Sequence, residues 1–467
     1  MLFTEVRFLF FFVMVFCVFW TLRTNRTRKG WLLACSYAFY AGWDWRFLGL
    51  IFASTVIDYL CGIRIAAAPD KRGKKPWLML SLFSNVGLLG FFKYFNWFIE
   101  SANGFLEFLG LPTAMSTLDI VLPVGISFYT FQTISYTIDL YRDEVKPVRS
   151  FWNFALFVSF FPQLVAGPIV RAKEFLPQLK SSRTLHDIHW RRCMTQFLFG
   201  YIKKAIVADN FAMTVDMMFN EGADPTRFEP LSLWLGLSMY TVQLYCDFSG
   251  YTDMAIASAG MLGYQLPRNF NFPLFANGVT NTWQRWHISV SLWFRDYLYI
   301  PLGGNRVTEW KIYRNLYTVF VTCGLWHGAN WNFIVFGVWT GSWMILERWL
   351  GWKGTDRNNL FRWAYSLGVW LVGLVIFRTQ TLNTGWLYWK GMFGGAPEGG
   401  GTETLDQAWW FAIVGFFAVH FVMFRRWLHE PFSRLPTWAF CLLIGAAFAL
   451  LFPFGPGNYV PFIYFQF

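Results

Sequence analysis

Residues 8–20 read F-L-F-F-F-V-M-V-F-C-V-F-W, and residues 21–29 read T-L-R-T-N-R-T-R-K. An unbroken apolar run with no small-residue cleavage site before the basic stretch reads as a retained membrane helix, not a cleaved leader. Similar runs recur along the whole chain. Of its 467 residues 55% are hydrophobic, 22% are aromatic and only 14% are charged, where a soluble domain carries about a quarter charged. Mean hydropathy is +0.35. The expected fold class is all-α, a polytopic transmembrane helical bundle lying in a lipid bilayer.

Charge orients the first helices, because short cytoplasmic loops collect Lys and Arg. Arg23, Arg26, Arg28 and Lys29 follow the first run. Residues 31–63 form a hairpin through A-G-W-D-W-R (41–46) and return to a second basic loop, I-A-A-A-P-D-K-R-G-K-K (65–75). A helix near 77–98 leads to residues 101–119, which hold no Lys or Arg, and one near 119–140 returns to Y-R-D-E-V-K-P-V-R (141–149). The basic loops all fall on one side, which is then cytoplasmic.

That alternation breaks at F-W-N-F-A-L-F-V-S-F-F-P-Q-L-V-A-G-P-I-V-R (151–171), which joins two basic stretches. Pro162, Gly167 and Pro168 interrupt it, and such backbone survives at membrane depth only where protein buries it or it lines a cavity. The segment is expected to be re-entrant. Further runs lie near 193–220, 231–247, 283–302, 313–330, 332–349, 362–378, 408–425 and 437–453. The count is about eleven spans plus re-entrant pieces. Residues 1–355 are taken as a core and 356–467 as C-terminal helices completing the bundle, with a glycine-rich flexible loop near 394–404. No repeat of fixed period suggests an inverted-repeat transporter.

The seven cysteines are scattered without a C-x-x-C pair, so neither a disulfide framework nor a metal site is indicated. The net charge of +12 sits largely in the loops already named, which is membrane topology and not a nucleic-acid stripe. H-E-x-x-H, P-loop, G-x-G-x-x-G and G-x-S-x-G patterns are all absent.

Polar residues inside apolar runs are costly and usually functional. Residues 243–260, Q-L-Y-C-D-F-S-G-Y-T-D-M-A-I-A-S-A-G, carry Asp247, Ser249 and Asp253. Residues 284–306, Q-R-W-H-I-S-V-S-L-W-F-R-D-Y-L-Y-I-P-L-G-G-N-R, carry Arg285, His287, Ser291, Arg295 and Asp296. Residues 324–332, G-L-W-H-G-A-N-W-N, carry His327, Asn330 and Asn332. His287 and Ser291, four apart, are expected on one helix face. His287 and His327 are forty residues apart, enough for a helix, a loop and a return helix to bring them together. A neutral imidazole there suits proton abstraction from a hydroxyl. The plainer readings are a hydrogen-bonded structural His327, a His287 satisfied beside Arg285, and Asp247 and Asp253 paired with arginines. His186, His189, His420 and His429 read as surface residues.

The stretches at 283–306 and 324–341 resemble the signature of the membrane-bound O-acyltransferase family. D-F-S-G-Y-T-D-M-A-I (247–256), F-P-Q-L-V-A-G-P-I-V-R (161–171) and L-P-V-G-I-S-F-Y-T-F-Q (122–132) are similar to its bacterial branch, in the same order. The resemblance spans roughly residues 30–350 and is strongest to the alginate O-acetyltransferase group, which the helices after 360 and the ending P-F-I-Y-F-Q-F also fit. The D-alanine exporters of teichoic acid synthesis share the core but are shorter. The resemblance implies a bundle around a central funnel, with His327 as the family's near-invariant histidine and His287 at its partner position.

It further implies acyl transfer from a cytoplasmic thioester, acetyl-CoA, with no bound cofactor or metal. His327 is then the general base. His287 and Asn330, with Ser291, Arg295, Asp296, Asp247 and Asp253 in support, orient groups or stabilise charge. Arg142, Arg171 and Lys173 are candidate phosphate contacts for the donor. The implied partners are a periplasmic SGNH-hydrolase-like acetyltransferase or acceptor protein and a polysaccharide synthesis and export complex at the bacterial inner membrane. The competing readings are transfer of D-alanine or another acyl group to an envelope polymer or lipid, and, outside enzymes, a transporter or scaffold.

Overall fold

The computed structural model describes residues 1–113, 115–220, 222–352, 359–394, 401–425, 435–455 and 462–463. His429, most of the glycine-rich stretch, the boundary between residues 355 and 356, and most of the ending P-F-I-Y-F-Q-F lie outside them. The described secondary structure is helical, apart from an isolated bridge between Phe228 and Glu403. Among the described residues, three helical stretches are long and apolar enough to cross a bilayer, Asn25–Ala67, Lys71–Phe108 and Leu360–Arg378, and shorter apolar helices run Val6–Thr21, Trp409–Phe424 and Thr437–Leu451. The chain divides into two compact units, Met1–Cys193 with Ala255–Pro267, and Met194–Met254 with Arg268–Phe467.

In the first unit, α1 (Val6–Thr21) precedes α2 (Asn25–Asp44), which starts where Thr24 caps the amide of Thr27. The expected hairpin turn is present. Asp44 adopts extended backbone and accepts from the amide of Arg46, which starts the turn into α3 (Leu48–Ala67). The stretch expected near 77–98 is longer: α4 (Lys71–Leu89) passes through a π-helical turn at Gly90–Tyr94 into α5 (Phe95–Phe108). Asp58 on α3 accepts from Ser81 Oγ (2.6 Å) and Asn85 Nδ2 (2.9 Å) on α4, and Thr133 on α6 (Ile126–Tyr141) donates to Asn85 Oδ1 (3.0 Å). A polar knot in an apolar bundle thus ties three helices together.

The broken segment is as its prolines and glycine suggested. α7 (Phe151–Ser159) is nine residues long, about 14 Å, far short of a bilayer, and stops at Phe160 before the single turn α8 (Phe161–Leu164). Residues 154–172 are all buried. Groups freed by the break find partners in protein: Phe161 N donates to Ser36 Oγ (3.1 Å) and Gln163 Nε2 to the carbonyl of Phe157 (2.7 Å). Gly125, at φ 77°, passes so close to the carbonyl of Leu164 that a Cβ would sit 2.5 Å from that oxygen. A single turn, α9 (Ala172–Phe175), follows.

The second unit begins within α10 (Trp190–Tyr201), which enters a π-helical turn at Ile202–Ala208 and continues as α11 (Asp209–Phe219). The run expected at 231–247 is the start of a longer helix, α12 (Pro230–Met261). The span expected at 283–302 does not exist as one helix. It is α13 (Val279–Arg285), a reversal at Trp286–His287, α14 (Ile288–Phe294) and a π-helical turn at Arg295–Tyr299. The hairpin α15 (Glu309–His327) and α16 (Trp331–Trp349) follows. Then come α17 (Leu360–Arg378), α18 (Leu382–Met392), α19 (Trp409–Phe424) and α20 (Thr437–Leu451).

The α15–α16 hairpin closes on glycines. A Cβ on Gly324 would lie 2.0 Å from the carbonyl oxygen of Phe333, and one on Gly337 2.4 Å from that of Phe320. Small residues let helix backbones approach where lipid supplies no hydrophobic drive. Gly324→Ala and Gly337→Ala are each expected to cost about 1–3 kcal/mol. Gly368→Ala, where nothing lies within 4 Å, should be neutral or mildly stabilising. Thermal midpoints of the purified protein in detergent check this.

Candidate functional site

His327 is the last residue of α15, at the point where the chain turns into α16. Its ring is buried between Trp326 (centroids 5.0 Å) and Phe377 of α17 (5.4 Å), with Cys323 Sγ 3.8 Å from Nε2 one turn earlier. The glycines around it serve the hairpin: Gly324 admits the α16 backbone, and a Cβ on Gly328 would overlap the ring of Phe333 at 2.0 Å. Asn330 caps α16 by accepting from the amide of Asn332 and donates to the carbonyl of Gln380 (3.0 Å). Asn332, buried, ties the same end to α17 through the carbonyl of Thr379 (2.6 Å). A helix terminus normally frays, and these bonds hold this one rigid.

His287 sits at the reversal between α13 and α14 with φ 44°, ψ 52°, a left-handed conformation uncommon for a residue with a Cβ. The expectation that His287 and Ser291 share a helix face is therefore wrong: His287 precedes the helix, and its carbonyl accepts from Ser291 N (3.0 Å) while Ser291 Oγ donates to the carbonyl of Trp286 (3.4 Å). The His287 ring is fully buried against Phe248 of α12 (4.6 Å, edge to face) and Trp326 (5.7 Å). The two imidazoles are thus brought together around one indole, Trp326.

The backbone beside His287 is held by residues that sequence reading did not single out. Asn269 accepts from Ile288 N (2.9 Å) through its main-chain carbonyl and from Ser289 Oγ (2.9 Å) through its side chain, while Asn271 N donates to the carbonyl of Arg285 (2.9 Å). Glu347 of α16, buried, accepts from the amides of Val279 and Thr280 at the start of α13. Nothing in R-N-F-N-F (268–272) marks these asparagines in advance.

Asp247 and Asp253 pair with lysines, not the expected arginines. Lys204 lies 2.5 Å from both Asp209 and Asp247, and all three are buried. Asp247 also accepts from Ile463 N (2.9 Å). Lys203 pairs with Asp253, which accepts as well from Gln196 (3.0 Å), and donates to Ser249 (3.1 Å). The signal was legible: two lysines and two aspartates, Asp209 and Asp216, within the apolar run 193–220 are ions in need of partners. The π-helical turn presents both lysines toward α12.

The remaining candidates lie elsewhere. Arg295 and Asp296 pair with each other (2.6 Å) on the π-helical turn, with Arg295 more than half exposed. Arg142, Arg171 and Lys173 belong to the first unit: Arg142 stands 4.0 Å from Glu144, Arg171 is buried and Lys173 is exposed. His186 and His189 are exposed as expected. His420 is not: it is buried among Tyr245, Phe272, Phe275 and Phe416 at 4.9–5.2 Å, because α19 turns it inward.

The family model described as MBOAT, membrane-bound O-acyltransferase family, matches residues 142–377. The chain belongs to this family. Among its relatives, the probable alginate O-acetylase AlgI of Azotobacter vinelandii is 42% identical over 84% of this chain and 78% of its own length. AlgI of Pseudomonas aeruginosa is 41% identical over 84% and 75%. The peptidoglycan O-acetyltransferase of Helicobacter pylori is 36% identical over 78% and 74%. This membrane-bound O-acyltransferase is accordingly an enzyme of the AlgI-like branch and a membrane protein.

In this O-acyltransferase the Lys204 cluster is part of the scaffold behind His287, since Phe248 adjoins Asp247 and packs on the imidazole. Lys204→Met leaves Asp209 and Asp247 buried without their cation and is expected to cost about 3–5 kcal/mol. Adding Asp247→Asn should recover part of the loss. Thermal unfolding in nanodiscs measures both.

Proposed function

We propose that the chain transfers an acetyl group from a cytoplasmic thioester, acetyl-CoA, for O-acetylation of an exopolysaccharide of the alginate kind. The observation that carries the reading is the similarity over 84% of the chain to relatives named for O-acetylation. The buried imidazole pair around Trp326 is a constellation suited to the reaction. In this reading the bundle crosses the bacterial inner membrane about eleven times around a funnel that gives donor and acceptor access from opposite faces.

The steps follow from the chemistry of a thioester. The acceptor hydroxyl oxygen adds to the thioester carbonyl carbon while its proton passes to His327. The C–S bond then breaks, and the departing CoA sulfur takes a proton from the imidazolium. The His327 ring lies among Trp326, Phe377 and Cys323, buried in the helix bundle. In this reading His287 orients the acceptor or shares the charge. The acceptor is a periplasmic protein of the SGNH-hydrolase-like kind that passes the acetyl group to the glycan, or the glycan itself, within a polysaccharide synthesis and export complex. Arg142, Arg171 and Lys173 are assigned to the CoA phosphates.

Membrane vesicles given acetyl-CoA labelled in the acetyl group test the reading. Wild type is expected to place label on a periplasmic protein or glycan, and His327→Ala at matched abundance to lose at least about 100-fold in rate. Equal transfer by the variant would make His327 structural. Transfer by neither would remove acetyl-CoA as the donor and direct the assay to carrier-linked D-alanine.

A further inference from the structure

Asn269 is fully buried and is fastened on one side only. Its side-chain oxygen accepts from both the amide (3.2 Å) and the hydroxyl (2.9 Å) of Ser289. That fixes the orientation of the group, because the Ser289 amide is an obligatory donor and an amide nitrogen placed opposite it would set donor against donor. The nitrogen of Asn269 therefore faces away from Ser289, and it has no acceptor among the described residues. Buried donors are normally paired, and one that is not calls for an explanation.

The position supplies one. The main-chain carbonyl of Asn269 accepts from Ile288, the residue after His287, so the asparagine is bound directly alongside the left-handed turn that carries the imidazole. His287 is in turn linked through Trp326 to His327. A rigid, preoriented N–H donor beside an acyl-transfer site, shielded from water, is what stabilises negative charge on a carbonyl oxygen with little reorganisation.

We propose, resting on the acetyl-transfer reading above, that Asn269 is a further catalytic residue whose Nδ2 donates a hydrogen bond to the acyl carbonyl oxygen. When the acceptor oxygen bonds to the carbonyl carbon and its proton moves to His327, the C=O π electrons move onto the carbonyl oxygen. Asn269 holds the resulting oxyanion until the carbonyl re-forms and the thiolate leaves with a proton. The same side chain clamps the His287 turn through Ser289, so donor and imidazole are positioned by one group.

The test compares wild type, Asn269→Ala, Asn269→Asp, Ser289→Ala and His327→Ala, all full-length in vesicles with labelled acetyl-CoA. Asn269→Asp keeps the oxygen that Ser289 needs and removes the N–H donor, whereas Ser289→Ala loosens the clamp and keeps the donor. The expected result is a fall of about 100-fold or more in kcat for both Asn269 variants, with KM for acetyl-CoA within about threefold of wild type. Ser289→Ala should lose only a few-fold. Thermal midpoints identify any variant lost to misfolding, and if Asn269→Ala is such a case Asn269→Asp decides. Full activity in Asn269→Asp, with wild type active and His327→Ala inactive, overturns this assignment alone. Equal losses in Asn269→Asp and Ser289→Ala reduce Asn269 to a clamp and also overturn it. No transfer by wild type removes the acetyl reading and this proposal with it.

Discussion

Hydrocarbon offers no hydrogen bonds, so a polar group inside this bundle must find its partner in the protein, and much of the architecture follows from that constraint. Asp58 is met by Ser81 and Asn85, Lys204 by Asp209 and Asp247, and, at the broken segment, the Phe161 amide by Ser36 and the Phe157 carbonyl by the Gln163 side chain. The Asp58, Lys204–Asp247 and Phe161–Ser36 contacts join elements distant in sequence. The polar residues that look like interruptions of apolar runs are the points at which helices are tied to one another.

The site is a special case of the same rule. His327 ends a helix and His287 precedes one, and a helix end in an apolar interior leaves backbone groups that must be satisfied. Asn330 and Asn332 do this for the hairpin around His327; Asn269 and Asn271 do it for the reversal around His287, and Glu347 for the start of α13 that leads into it. The imidazoles are thus held by amides and one buried carboxylate, on backbone that cannot fray. Between them Trp326 sets the spacing, touching both rings. Aromatic packing through this one indole links the two rings.

The charged cluster on the π-helical turn works at one remove. Widening the helix at Ile202–Ala208 places Lys203 and Lys204 side by side toward α12, where Asp253, Ser249 and Asp247 meet them. Phe248, between Asp247 and Ser249, then presses on His287. A buried ion cluster is costly to assemble and more costly to break. Its place behind the imidazole gives the α12 backbone a fixed height relative to His287.

Much of this was legible in the residues. Apolar runs placed α15, α16, α17, α19 and α20 within a few positions, since a run of that length in an apolar solvent has only the helix open to it. Pro162, Gly167 and Pro168 announced the broken segment, and G-L-W-H-G and R-W-H marked both histidines by setting imidazoles where burial is expensive. Composition and spacing were wrong about the path of the chain through 283–302, expected as one span, and about His420, expected at the surface. A left-handed turn at His287 has no local signature. It is stable only because Asn269 and Asn271, from a loop far earlier than α14, supply hydrogen bonds to it. Likewise, local residues could show that Asp247 needed a cation but not that Lys204 would be the one. The sequence by itself determined the solvent, the family and the two histidines set in apolar runs; the tertiary structure alone decided which backbone and side-chain groups satisfy one another, because that pairing is made between segments that meet only on folding.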